Sequence, residues 1–73
     1  MAADTKLQKK LGSRLRALRK EHGLSQLDMV RQFDFSLSHY QKLERGDLDP
    51  RMTTLARLAE SFGLTMSDLL AGV

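Results

Sequence analysis

Helix-ending glycines and helix-opening caps recur along the whole chain, so no amphipathic run is free to extend far. Gly23, Gly46 and Gly63 each follow a stretch of helical periodicity, and Ser25, Ser36, Asp49 and Thr65 each open the next. A glycine after a helix takes the left-handed conformation by which the chain leaves it. The pattern therefore predicts five short helices joined by tight turns. In the first segment Leu7, Leu11, Leu15 and Leu18 recur at four- and three-residue steps and make one apolar stripe. Gly12 within it costs about 1 kcal/mol relative to Ala, which predicts close packing there or a frayed first turn. His22-Gly23 ends the segment.

Ser25-Gln26-Leu27-Asp28 has the form of a capping box, in which the Ser hydroxyl serves an orphan amide and Asp28 reaches back. Met29, Val30 and Phe33 line the inner face of this second segment, with Leu27 at its margin. Asp34 falls where the chain must turn. Ser36 caps the third segment, where Tyr40 and Leu43 form a buried pair before Gly46. Asp49 is the expected N-cap of the fourth, with Pro50 at its first helical position. Leu55, Leu58, Ala59 and Phe62 follow at i, i+3, i+4 and i+7. Thr65-Met66-Ser67-Asp68 is a second capping box, opening a last helix that carries Met66, Leu69 and Leu70. The expectation is all-α: a compact five-helix bundle over 6–73, preceded by a disordered segment over 1–5.

Composition narrows the function. A chain of 73 residues is one small domain, near the size where a single core is only just sufficient. It has no cysteine for a disulfide or a thiolate site. It has no apolar run of about 18 residues and no signal-peptide core, which points to a soluble, cytoplasmic protein with no membrane partner. His22 and His39 lack companions at ligand spacing, so no metal is expected. Ser25, Ser36 and Thr65 are caps rather than nucleophiles. With no phosphate loop and no triad, the chain is not expected to be an enzyme or to carry a cofactor. Met29, Met52 and Met66 fall at packing positions. The net charge is +3, and seven of the twelve basic residues lie between Lys6 and Lys20. Beyond Gly46 only Arg51 and Arg57 face Asp47, Asp49, Glu60 and Asp68. That asymmetry fits either a polyanion on one side or a plain solvated helix face.

Two short helices joined by a tight turn make a helix-turn-helix pattern. The stretches LRALRKEHGLSQ, FDFSLSHYQKLERG, DPRMTTLARLAESFGL and MSDLL, in this order, resemble the phage-repressor (Cro-like or xenobiotic-response-element) helix-turn-helix DNA-binding family. The resemblance runs from about Lys10 to Leu70. It implies a lambda-repressor-like domain whose third helix, about 36–45, lies in the major groove of double-stranded DNA. By position, Leu37, Ser38, His39 and Lys42 would meet base edges, where Lys42 can donate to guanine and Leu37 can meet a thymine methyl. Ser25, Gln26, Ser36, Gln41, Arg45 and Arg51 would contact the backbone, and Arg19 and Glu44 would form a structural ion pair. Phe33, Phe35 and Tyr40 then pin the turn rather than stack on bases. The sequence departs from the family at Asp34, where Gly is usual, at Val30, where Ala is usual, and at Gln41, where Ser is usual.

The function implied is a sequence-specific transcriptional regulator, bacterial or phage, acting as a homodimer on a palindromic operator. Met66, Leu69, Leu70 and Val73 exceed what a small core needs and supply a candidate two-fold interface. Two alternatives stand beside this. One is an antitoxin or restriction-modification controller of the same fold, with a toxin or other protein as partner. The other is a protein-interaction module that has lost DNA.

Overall fold

The computed structural model of the chain describes residues 5–33 and 36–73. Its helices are α1 (Thr5–Glu21), α2 (Gln26–Val30), α3 (Leu37–Arg45), α4 (Met52–Ser61) and α5 (Met66–Leu69). No strand occurs among the described residues. Thr5, which the sequence assigns to the N-terminal segment, is already helical. Asp34 and Phe35 lie outside the described residues.

Local signals set three of the four later helix starts. Ser25 accepts from the Asp28 amide while Asp28 accepts from the Ser25 amide, at 3.0 and 2.9 Å, and Thr65 and Asp68 repeat the arrangement before α5. Ser36 accepts from the His39 amide at 3.1 Å. The fourth start differs from expectation. The chain stays extended through Arg51, which is the N-cap of α4 and makes no side-chain capping bond. The first helical bond runs from the Leu55 amide to the Arg51 carbonyl at 3.1 Å. Asp49 therefore caps nothing, and Pro50 precedes the helix. The proline ring instead lies half-buried against a groove lined by Leu11, Leu55 and Val73. Apolar contact takes the place of the cap.

Leu11, Leu15 and Leu18 enter the core with Met29, Tyr40, Leu43, Leu55, Leu58, Ala59, Phe62 and Leu69. Leu7 does not, and is 49% exposed. Leu7 lies only about 20° around the helix from buried Leu18, but it stands in the first turn of α1, on the groove's rim beside Met52. Leu27, at 48%, is likewise outside the core.

The chief contact is α1 on α3, with α2 also packed on α3 and α4 on α5. Gly12 explains how closely α1 and α3 meet. A Cβ placed there would lie 2.8 Å from the Glu44 carbonyl carbon and 2.9 Å from the Leu43 carbonyl oxygen. Of the two expectations for Gly12, close packing holds. Farther along the same contact, Gly46 ends α3 at φ +78°, and a Cβ on it would lie 2.7 Å from the Lys9 Cα. The two glycines let α3 lie directly on α1. Phe33, half-buried after α2, has the Arg57 guanidinium 5.6 Å from its ring centre.

Candidate nucleic-acid interface

Glu44 is the point from which α3 is held. Its side chain is fully covered, and an unpaired carboxylate in such a place is strongly disfavoured. Arg19 of α1 answers it with two bonds, Nε to Oε2 at 2.7 Å and Nη2 to Oε1 at 3.2 Å. Gln26 of α2 donates to Oε1 at 3.1 Å, and the Arg16 Nε stands 3.7 Å from the same oxygen. Burial by itself pushes the Glu44 carboxyl up, but the hydrogen bonds from Arg19 and Gln26, with the nearby Tyr40 hydroxyl, outweigh it and hold the group below its ordinary value. Burial likewise raises the Tyr40 hydroxyl, and the nearby Glu44 carboxylate adds to the shift. Arg19 also donates through Nη1 to the Leu24 carbonyl at 2.9 Å. One carboxylate thus ties together α1, the turn after it, α2 and α3.

The opposite side of α3 is left uncovered. Ser38, Lys42 and Arg45, at four- and three-residue steps, form an exposed ridge. Leu37 stands beside it at 36% exposure. Arg45 pairs with Asp47 at 3.0 Å, but both side chains are more than half exposed. Such surface pairs contribute only about 0–1 kcal/mol, so Arg45 can exchange its partner for a phosphate at little cost.

The residues assigned to base edges therefore divide. Ser38 and Lys42 share the ridge and Leu37 stands partly exposed at the start of α3, whereas His39, exposed beside Lys42, lines a hollow with Arg51, Thr53, Thr54 and Arg57. Among those assigned to the backbone, Arg45 and Arg51 are exposed, and the Ser25 and Ser36 oxygens are engaged as caps. Gln26 and Gln41 are half-buried and bonded to each other, Gln41 Nε2 to Gln26 Oε1 at 3.3 Å. Arg57 is a cation that the sequence leaves without a role. Its signal is faint: it and Arg51 are simply the two basic residues after Gly46. Arg14 is another, donating to the Asp68 and Leu69 carbonyls at 2.8 and 3.1 Å and so closing the end of α5. Of the candidate interface residues, Leu69 is fully covered within the single chain and belongs to its core, while Met66, Leu70 and Val73 remain half-buried at the surface.

Among the described residues no helix is long and apolar enough to cross a membrane. Residues 12–73 match the model of a helix-turn-helix domain family. Over 64 residues, 88% of this chain, the sequence is 44% identical to the HTH-type transcriptional regulator DdrOP3 of Deinococcus deserti, of which it spans 50%. It is 30% identical over 60 residues to the immunity repressor protein of Bacillus phage phi105, covering 82% of this chain and 42% of that one. The chain thus spans half or less of these two relatives. The crystal structure of the DNA-binding domain of BldD superposes with a TM-score of 0.80 at 30% identity, covering 92% of this chain and 97% of that domain.

Proposed function

The chain belongs to the helix-turn-helix domain family, and on that premise we propose that it is a sequence-specific DNA-binding transcriptional regulator of the cytoplasm. In this account α3 enters the major groove of double-stranded DNA. The observation that carries the proposal is the asymmetry of α3. One side is clamped through Glu44, while Ser38, Lys42 and Arg45 stand exposed on the other. Leu37, Ser38 and Lys42 meet base edges, with Lys42 donating to guanine O6 or N7. His39, Arg51 and Arg45 serve phosphates, joined by the Gln26 amide and the hydroxyls of Ser25 and Ser36.

Two copies bind one palindromic site, because a single module of this size buries too little surface for tight specific binding. Met66, Leu70 and Val73 supply the two-fold contact. Exposed Leu7 and Met52, at 49% and 72%, extend the apolar surface next to Leu70 and Val73.

The test is a salt titration of DNA affinity for the wild type and for Lys42→Ala. With Arg45 and Arg51 of both copies on phosphates, roughly four charge contacts, affinity falls by about a hundredfold between 50 and 200 mM salt. Lys42→Ala weakens binding to the preferred site by about tenfold or more and leaves binding to unrelated DNA much less affected. Equal affinity of the two proteins for every DNA would remove α3 from the major groove.

A further inference from the structure

Gln26 and Gln41 are both assigned above to the surface that meets DNA, yet their side chains are joined to each other and, through Glu44, to the buried ion pair. The direction of each bond follows from chemistry. An ionised carboxylate only accepts, so Gln26 must turn its NH2 toward Glu44 Oε1, at 3.1 Å. Its carbonyl oxygen then points the other way, and Gln41 meets that oxygen with an N–H at 3.3 Å. Glu44 therefore decides which way both amides lie. The Gln26 amide is held at two corners, by α3 residues one helical turn apart (Gln41 and Glu44). It keeps one N–H uncommitted, and its residue is half-buried rather than enclosed.

We propose that Gln41 is a positioning residue: its bond to the Gln26 carbonyl aims the uncommitted N–H of Gln26 at one phosphate of the DNA backbone, and Gln41 itself touches neither base nor phosphate. This deepens the DNA-binding proposal and rests on it. A free Gln side chain has several torsions to fix when it grips a phosphate. One already held by Glu44 and Gln41 loses little further freedom on binding, so the contact is stronger for being prearranged.

The test is a double-mutant cycle on the full chain with Gln41→Met, Gln26→Ala and the pair. Each is titrated with salt against the preferred duplex and an unrelated one, and each is checked for folding by thermal denaturation. Methionine keeps the length of Gln41 and removes its donor. Gln41→Met lowers affinity severalfold on both duplexes alike and leaves the log affinity–log salt slope nearly unchanged, because a neutral amide releases no counterion. In the Gln26→Ala background it does nothing more. Three results overturn the proposal: Gln41→Met matching the wild type, an effect that persists after Gln26→Ala, or a changed base preference. The Lys42→Ala result separates these outcomes from failure of DNA binding itself. If Lys42→Ala weakens specific binding while Gln41→Met does not, only the positioning role falls.

Discussion

Arg19→Met lowers the free energy of unfolding by about 3–5 kcal/mol at neutral pH, the cost of leaving a buried charge without its partner. A chain of this size has roughly 4–11 kcal/mol in total, so the variant sits close to unfolding. The reason lies in the asymmetry of the pair: the Arg19 side chain retains 12% exposure, whereas Glu44 has none. Without Arg19, Glu44 keeps the Gln26 hydrogen bond, Arg16 at 3.7 Å and the favourable influence of the nearby Tyr40 hydroxyl. The pH dependence follows in sign. The folded value of Glu44 lies below the ordinary 4.5. The stabilisation by its ionised form is therefore complete above about 4.5 and is lost as pH falls through the lower folded value. The gap between wild type and Arg19→Met is widest at neutral pH and closes in acid. Adding Glu44→Gln to Arg19→Met recovers much of the loss, because no charge then remains buried. Urea denaturation at pH 7 and at pH 3 measures both effects. A loss below 1 kcal/mol at pH 7 would mean that Glu44 does not anchor α3.

Gly12→Val costs about 3 kcal/mol or more, at the upper end of what overpacking does. The atoms in the way are the main-chain carbonyls of Leu43 and Glu44, which cannot swing aside as a side chain would. Relief requires α1 and α3 to separate, and separation also lengthens the Arg19–Glu44 bonds that span the same contact. Gly23→Ala is the contrasting case. It places a side chain at φ +67° with nothing within 4 Å and costs only the roughly 1–2 kcal/mol of a left-handed residue. Thermal denaturation of the two variants separates backbone conformation from helix contact. Similar losses in both would remove the contact as the reason for Gly12.

What the sequence revealed was what depends on neighbours along the chain. Ser25–Asp28, Ser36 and Thr65–Asp68 cap as their spacing implies, because a capping bond spans only three residues. Asp49-Pro50 carries an equally good local signal, but the burial of Pro50 is a tertiary fact that its neighbours do not encode. By angle Leu7 belongs to the stripe, about 20° from buried Leu18; its exposure depends on which neighbours reach the first turn of α1, and periodicity does not encode that. His39 lies about 60° around the helix from Lys42, so periodicity leaves it beside the ridge, and the hollow it lines with α4 is a tertiary fact.

The site was legible less evenly. The Arg19–Glu44 pair is 25 residues apart in sequence, and only the family resemblance brought its members together. Gln26 and Gln41 were each assigned singly to the backbone. Their bond crosses from α2 to α3, and no periodicity links two polar residues on different helices. Arg57 over Phe33 is of the same kind, a contact made by α4 against the turn after α2.

Selection of bound duplexes from a random-sequence pool at low salt tests the central claim most directly. The account predicts an enriched motif with dyad symmetry, its half-sites about one helical turn apart or a multiple of it, and a base preference that shifts in the Lys42→Ala protein. A pool that gains no enriched sequence would contradict it and leave the exposed ridge of α3 as a surface for another protein.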